Sequence, residues 1–95
     1  MVSLPFGDIK SHILWKLHVK RIWGAKHTAI ENIAKGIPKH LQGDYIEMAK
    51  ELIKHGFILS KPTSYGQQIS LNPRKMEEII RLVTEFANKT NKHLI

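Results

Sequence analysis

Six histidines are the residues of this chain most open to a metal or proton-transfer reading. A helical metal pair needs two histidines four residues apart, so that both rings leave one face. His12 and His18 stand six apart, and His27, His40, His55 and His93 are scattered along the chain. No metal site is expected from that spacing. The serines Ser3, Ser11, Ser60, Ser64 and Ser70 sit in no nucleophile elbow and beside no paired base and acid. Glu77 and Glu78 are adjacent on a predicted helix, so their carboxylates splay apart and make a poor catalytic pair. No glycine-rich loop runs into Lys-Ser or Lys-Thr, which removes nucleotide hydrolysis. There is no cysteine, hence no disulfide and no thiolate metal site. The chain is therefore expected to bind and not to catalyse, without a cofactor and with no small-molecule ligand evident.

Charge gives the first indication of what it binds. Fifteen Lys and Arg stand against eight Asp and Glu, a formal charge of +7 and a pI near 9.9. Such an excess favours polyanionic partners. It is unevenly spread. Residues 1–27 carry five cations against Asp8, residues 28–56 carry four against four acids, and residues 57–95 carry six against three. The excess lies at the two ends, with a neutral middle.

At 95 residues with 42% apolar composition, one small domain is expected, spanning residues 1–95. No apolar run approaches the length of a membrane span. The N-terminal eight residues show no basic flank followed by an apolar stretch, so no secretory leader is expected. A cytoplasmic location fits the lack of cysteine.

A first helix is expected within residues 1–24. Phe6, Ile9, Ile13 and Leu17 make one apolar face, Trp15, Val19, Ile22 and Trp23 a second on the opposite side, and Gly24 ends it. A helix apolar on two sides must be covered on two sides, within the domain, with Trp15 and Trp23 as core aromatics, or against a second copy; a homodimer through Trp15, Val19, Ile22 and Trp23 is the expected cover. Thr28-Ala29-Ile30-Glu31 has the spacing of a capping box opening a short second helix to Lys35. Gly36-Ile37-Pro38 makes the turn, and a third helix occupies part of 38–55 with Tyr45, Ile46, Ala49, Leu52 and Ile53 inward. Residues 28–56 thus make a helix-turn-helix unit. Residues 57–72 form a hairpin, with Phe57–Leu59 and Gln68–Leu71 as strands around a tip at Lys61–Gly66. Asn72-Pro73 caps a last helix over 73–90, striped by Met76, Ile79, Ile80, Val83, Phe86 and Ala87.

The fold class is mostly α with a small β-hairpin, in the order helix, helix, helix, hairpin, helix. Leu52-Ile53-Lys54-His55-Gly56-Phe57-Ile58 carries the Leu-x-x-x-Gly-apolar-apolar run that closes a recognition helix and enters a wing strand. Over Thr28 to Leu71 the chain resembles winged helix-turn-helix proteins of the bacterial and archaeal transcriptional-regulator kind. His27-Thr28 through Asn32, Lys35 to His40, Lys61 to Gln67 and Ser70 to Pro73 look like a group of short archaeal proteins of that fold. The turn between the second and third helices is about two residues longer than the usual bacterial form.

That resemblance implies double-stranded DNA as the partner, with the start of the third helix at base edges and the wing and flanking cations on phosphates. The implied contacts are Lys39, His40, Gln42 and Lys50 on the third helix, and Lys61, Thr63, Ser64, Tyr65 and Gln67 on the hairpin. Arg74 and Lys75 in the first turn of the last helix, where cations oppose the helix dipole, complete the set. Asp44 and Glu47 make the face of the third helix electrically indifferent, so the wing and basic ends are expected to supply the affinity. The alternative is a protein- or RNA-interaction module in a larger assembly, because fold alone does not select a partner.

Overall fold

Ile9, Ile13, Leu14 and Leu17 fall within one turn or two of each other on a helix, and all four are buried. In the computed structural model, which describes residues 6–91 and side chains from Asp8 onward, they form the inner face of α1 (Phe6–Val19). The expectations for residues 1–5, and for the Phe6 side chain, lie outside the described residues.

α1 runs between two further helices, α2 (Lys39–Lys54) and α3 (Met76–Thr90), and also touches the sheet. α2 presents Tyr45, Ala49 and Leu52, and α3 presents Ile79, Val83, Phe86 and Ala87, all buried. Each such side chain taken fully out of water contributes about 1.5–3 kcal/mol for the larger ones. Met76 ends up 48% exposed and Ile80 half-buried, so the stripe on α3 is narrower than the sequence pattern.

The sheet has three antiparallel strands in the order β1–β3–β2, formed by Thr28–Ala29, Ile58–Thr63 and Gly66–Leu71. β3 lies in the middle. Thr28 pairs with Ile69 on one side of it, and Ser60 pairs with the same residue on the other. Ile58 of β2 and Ile69 and Leu71 of β3 belong to the core, and Ser70 between the last two is buried as well.

Three sequence expectations change. The first helix stops at Val19 and not near Gly24. Arg21 takes a left-handed backbone (φ +58°), and Ile22 then donates to the Leu17 carbonyl at 2.9 Å. Ile22 is therefore not on a helix face at all; it is 6% exposed and belongs to the core. Trp15 and Trp23 are half-buried and pack against that core, and Trp15 lies 6.1 Å from Phe86 between ring centroids. Of the four residues expected at a dimer seam, Ile22 thus lies in the core, while Trp15, Val19 and Trp23 are half-buried.

The second helix is a five-residue 3-10 helix, Ile30–Ala34, and the capping box is not made. Thr28 is in β1, and its hydroxyl accepts from the Asn32 amide at 2.8 Å. The segment between Thr28 and Gly36 is too short to meet the cost of nucleating an α-helix, and pairing with β3 takes its first residues instead.

The hairpin tip is also shorter than expected. Lys61, Pro62 and Thr63 are strand residues, leaving Ser64-Tyr65 as a two-residue turn. The last helix does open on Asn72, whose side-chain oxygen Oδ1 accepts from Arg74 N–H at 3.1 Å, but its first turn, Pro73–Lys75, is 3-10.

Candidate nucleic-acid interface

All eight acids of the chain lie on helical elements: Asp8 on α1, Glu31 on the 3-10 helix, Asp44, Glu47 and Glu51 on α2, and Glu77, Glu78 and Glu85 on α3. The stretches Ile9–Ile30 and Leu52–Met76 contain none, yet they hold nine of the fifteen Lys and Arg. Folding sews these two stretches together. Thr28 and Ala29 pair with Ile69 and Gln68, and Trp23 bridges to Leu71. Leu71 N–H donates to the Ile22 carbonyl at 2.8 Å, and Gly24 N–H returns a bond to the Leu71 carbonyl at 3.0 Å. Ser70, fully buried, donates its hydroxyl to the Gly24 carbonyl at 2.9 Å. The segment 20–28 and the hairpin therefore form one acid-free unit.

The ion pairs among the described residues lie outside that unit, although Lys35, Lys39, Lys54 and Arg74 are likewise exposed and belong to none of them. Among the described residues the pairs are Lys50–Glu47, His55–Glu51, Arg81–Glu85 and Lys89–Asp8, all between helix residues or at a helix end. Lys20, Arg21, Lys26 and Lys61 are exposed and pair with no carboxylate among the described residues. Cations held without counter-charge attract an outside anion more strongly than cations already paired.

The sequence-predicted contacts meet different fates. On the hairpin, Tyr65 projects from the tip at 95% exposure. Ser64 beside it and Lys61 on β2 are exposed too. Thr63 is occupied in holding the turn: its hydroxyl donates to the Gly66 carbonyl at 2.7 Å and accepts from Tyr65 N–H at 3.2 Å. Gln67 donates across the hairpin to the Ser60 hydroxyl at 2.6 Å. These two side chains stiffen the hairpin and leave Lys61, Ser64 and Tyr65 as its free outward groups.

On α2, Lys39 and His40 are exposed at the start. Gln42 turns one amide hydrogen back to the Ile37 carbonyl at 3.0 Å, closing the turn that enters the helix. Lys50 lies 3.5 Å from the Glu47 carboxylate. Asp44, Glu47 and Glu51 balance Lys39, Lys50 and Lys54, so the α2 face carries no net charge.

Arg74 is exposed, whereas Lys75 stands over the Phe57 ring at 5.6 Å, with Lys10 over the same ring at 4.7 Å. The ring quadrupole there offsets the unfavourable placing of Lys75 at a helix start. Arg74 and Lys75 both lie in the acid-free stretch Leu52–Met76, beyond the hairpin. Lys20, Arg21 and Lys26 were not singled out from the sequence. The signal that marks them is the unbroken lack of acid between Asp8 and Glu31.

Among the described residues, no group of three or more His, Asp or Glu is placed to hold a metal ion, and no helix is long and apolar enough to cross a membrane. Compared with known protein families, characterised proteins and solved structures, the chain matches none.

Proposed function

We propose that this chain is a winged helix-turn-helix protein that binds double-stranded DNA, with transcriptional regulation as its role. The 3-10 helix followed by α2 takes the place of the helix-turn-helix, and the β2–β3 hairpin is the wing. One observation carries the partner: the unpaired cations of the 20–28 segment and the hairpin are joined in a unit without a single carboxylate. Phosphate attraction is the sequence-independent part of DNA binding, and this unit provides it. The neutral α2 face supplies little raw affinity, so binding is expected to vary little with DNA sequence.

The second reading, docking in a larger assembly, draws on Leu59, which is 41% exposed on the outer strand β2.

A titration of labelled duplex DNA at stepped salt concentrations separates the two. The DNA reading expects log K to fall linearly with log salt. Lys61→Ala should lower the slope by about one unit, equally for unrelated duplexes. Absence of duplex binding at low salt, with a protein co-purifying, would replace it with the docking reading.

A further inference from the structure

Two helices of this chain end in the same backbone closure with different residues at its critical point. After α2, Phe57 N–H donates to the Leu52 carbonyl at 2.9 Å and Gly56 N–H to the Ile53 carbonyl at 3.1 Å, with Gly56 at φ +82°. After α1, Ile22 N–H donates to the Leu17 carbonyl at 2.9 Å and Arg21 N–H to the His18 carbonyl at 2.8 Å, with Arg21 at φ +58°. This is the Schellman closure, whose left-handed position is ordinarily glycine and sometimes asparagine. The end of α3 follows that rule with Asn91 at φ +60°. Arg21 does not. It has neither glycine's freedom nor asparagine's short polar side chain, and its Cβ is crowded in this conformation. A residue held in a disfavoured backbone invites the question of what its side chain does there.

The neighbours of Arg21 point to charge. Lys20 and Arg21 are both exposed, and neither pairs with a carboxylate among the described residues. Lys26 is exposed at the far end of the same turn, whose N–H donates to the Trp23 carbonyl at 3.1 Å. Lys16 and Lys20 line a shallow cleft with Thr28 and Asn32. The Lys16 ammonium donates to the Lys35 carbonyl at 2.6 Å, tying the end of α1 to the chain beyond the 3-10 helix. Burial, and then repulsion from Lys20, hold the Lys16 ammonium below the usual lysine range. Glu31 is the acid nearest in sequence to Lys20, Arg21 and Lys26 and pairs with none of them.

We propose that Arg21, between Lys20 and Lys26 in the turn after α1, is the residue by which that end of the acid-free unit holds a phosphate of duplex DNA. It rests on the DNA-binding reading above. Arg21 stands where glycine would be more stable because its guanidinium, which can hold a phosphate through two parallel hydrogen bonds, is needed at that point. Stability and binding then pull in opposite directions at a single residue.

The test compares Arg21→Gly and Arg21→Ala with the wild-type chain by thermal melting and by duplex titration at stepped salt. Arg21→Gly is expected to raise Tm by about 4–8 °C, as relief of one strained residue does in a domain of this size. It should also lower the salt slope by about one unit and weaken binding roughly eightfold near 0.1 M salt. Arg21→Ala keeps the strain and loses the charge, so it should weaken binding as much with no gain in Tm. An Arg21→Gly chain that melts higher but binds with the wild-type slope would make Arg21 a helix end only and overturn the proposal. A wild-type chain with no salt-dependent duplex binding would overturn the DNA reading itself, and this site with it.

Discussion

Replacing Tyr45 with alanine is expected to remove about 3–5 kcal/mol of folding stability, much of what a domain of this size possesses. Tyr45 is 1% exposed at the contact of α1 with α2. Its hydroxyl is hydrogen-bonded to His12 Nδ1, and its ring meets the His12 ring edge-on at 5.5 Å between centroids. His12 in turn stacks on Phe86 of α3 at 5.2 Å. The chain Tyr45–His12–Phe86 thus links α2, α1 and α3 in turn, and truncating Tyr45 removes one end of it and leaves a cavity between α1 and α2. Tyr45→Phe keeps the ring and removes only the hydroxyl, so it should cost about 1–2 kcal/mol. Urea melts of the two variants check both values.

The same hydroxyl carries a pH dependence. Burial, reinforced by the negative charge of Asp8, pushes the Tyr45 phenol from 10.0 up to about 12. In the unfolded chain it ionises near its ordinary value, while the fold holds it neutral. The stability this provides is complete below pH 10 and is lost as pH rises towards 12. The Tyr45→Phe chain lacks that part of the alkaline loss.

Changing Lys20, Arg21, Lys26 and Lys61 together to glutamine is expected to weaken duplex binding roughly a thousandfold or more near 0.1 M salt. The salt slope should fall by about 3.6 units, since each lost phosphate contact removes about 0.9. All four side chains are exposed, so the fold should survive. Arg81→Gln with Lys89→Gln on α3 serves as the comparison. Those two cations already face Glu85 and Asp8, at 3.7 and 3.6 Å, and their loss should change binding little. The contrast separates a local contact surface from a general effect of net charge.

Much of the helical and hairpin pattern was legible in the residues because apolar spacing decides it. The stripes Tyr45-Ala49-Leu52 and Ile79-Val83-Phe86 stand out at helical period, and both are buried. What misled were positions where tertiary pairing or a rare backbone overrides a local signal. Thr28 looks like a helix cap but serves a strand, because β3 lies alongside to pair with it. Gly24 looks like the end of α1, but the turn falls at Arg21, whose side chain type gives no hint of a left-handed backbone. That misplacement put Ile22 on the second apolar face of a helix, at an expected dimer seam, when it is a core residue beyond the helix end.

The candidate site was legible by halves. Lys61 and Tyr65 stand out because they follow a strand and precede a turn glycine. Lys20, Arg21 and Lys26 follow no motif, and their link to the hairpin is made by tertiary pairing: the Trp23–Leu71 bridge, the backbone bonds of Ile22 and Gly24 with Leu71, the β1–β3 pairing and the Ser70 bond to Gly24. Thr63 and Gln67 were drawn in by their donors, yet those donors face partners within the hairpin.

Amide chemical-shift mapping during a duplex titration, at about 50 mM salt where phosphate contacts are strong, tests the central claim most directly. The acid-free unit should respond, with the largest changes at residues 20–28 and 60–68 and little change along Arg81–Lys89 of α3. Changes centred on the α3 face, or none at any residue as duplex is added, would contradict it.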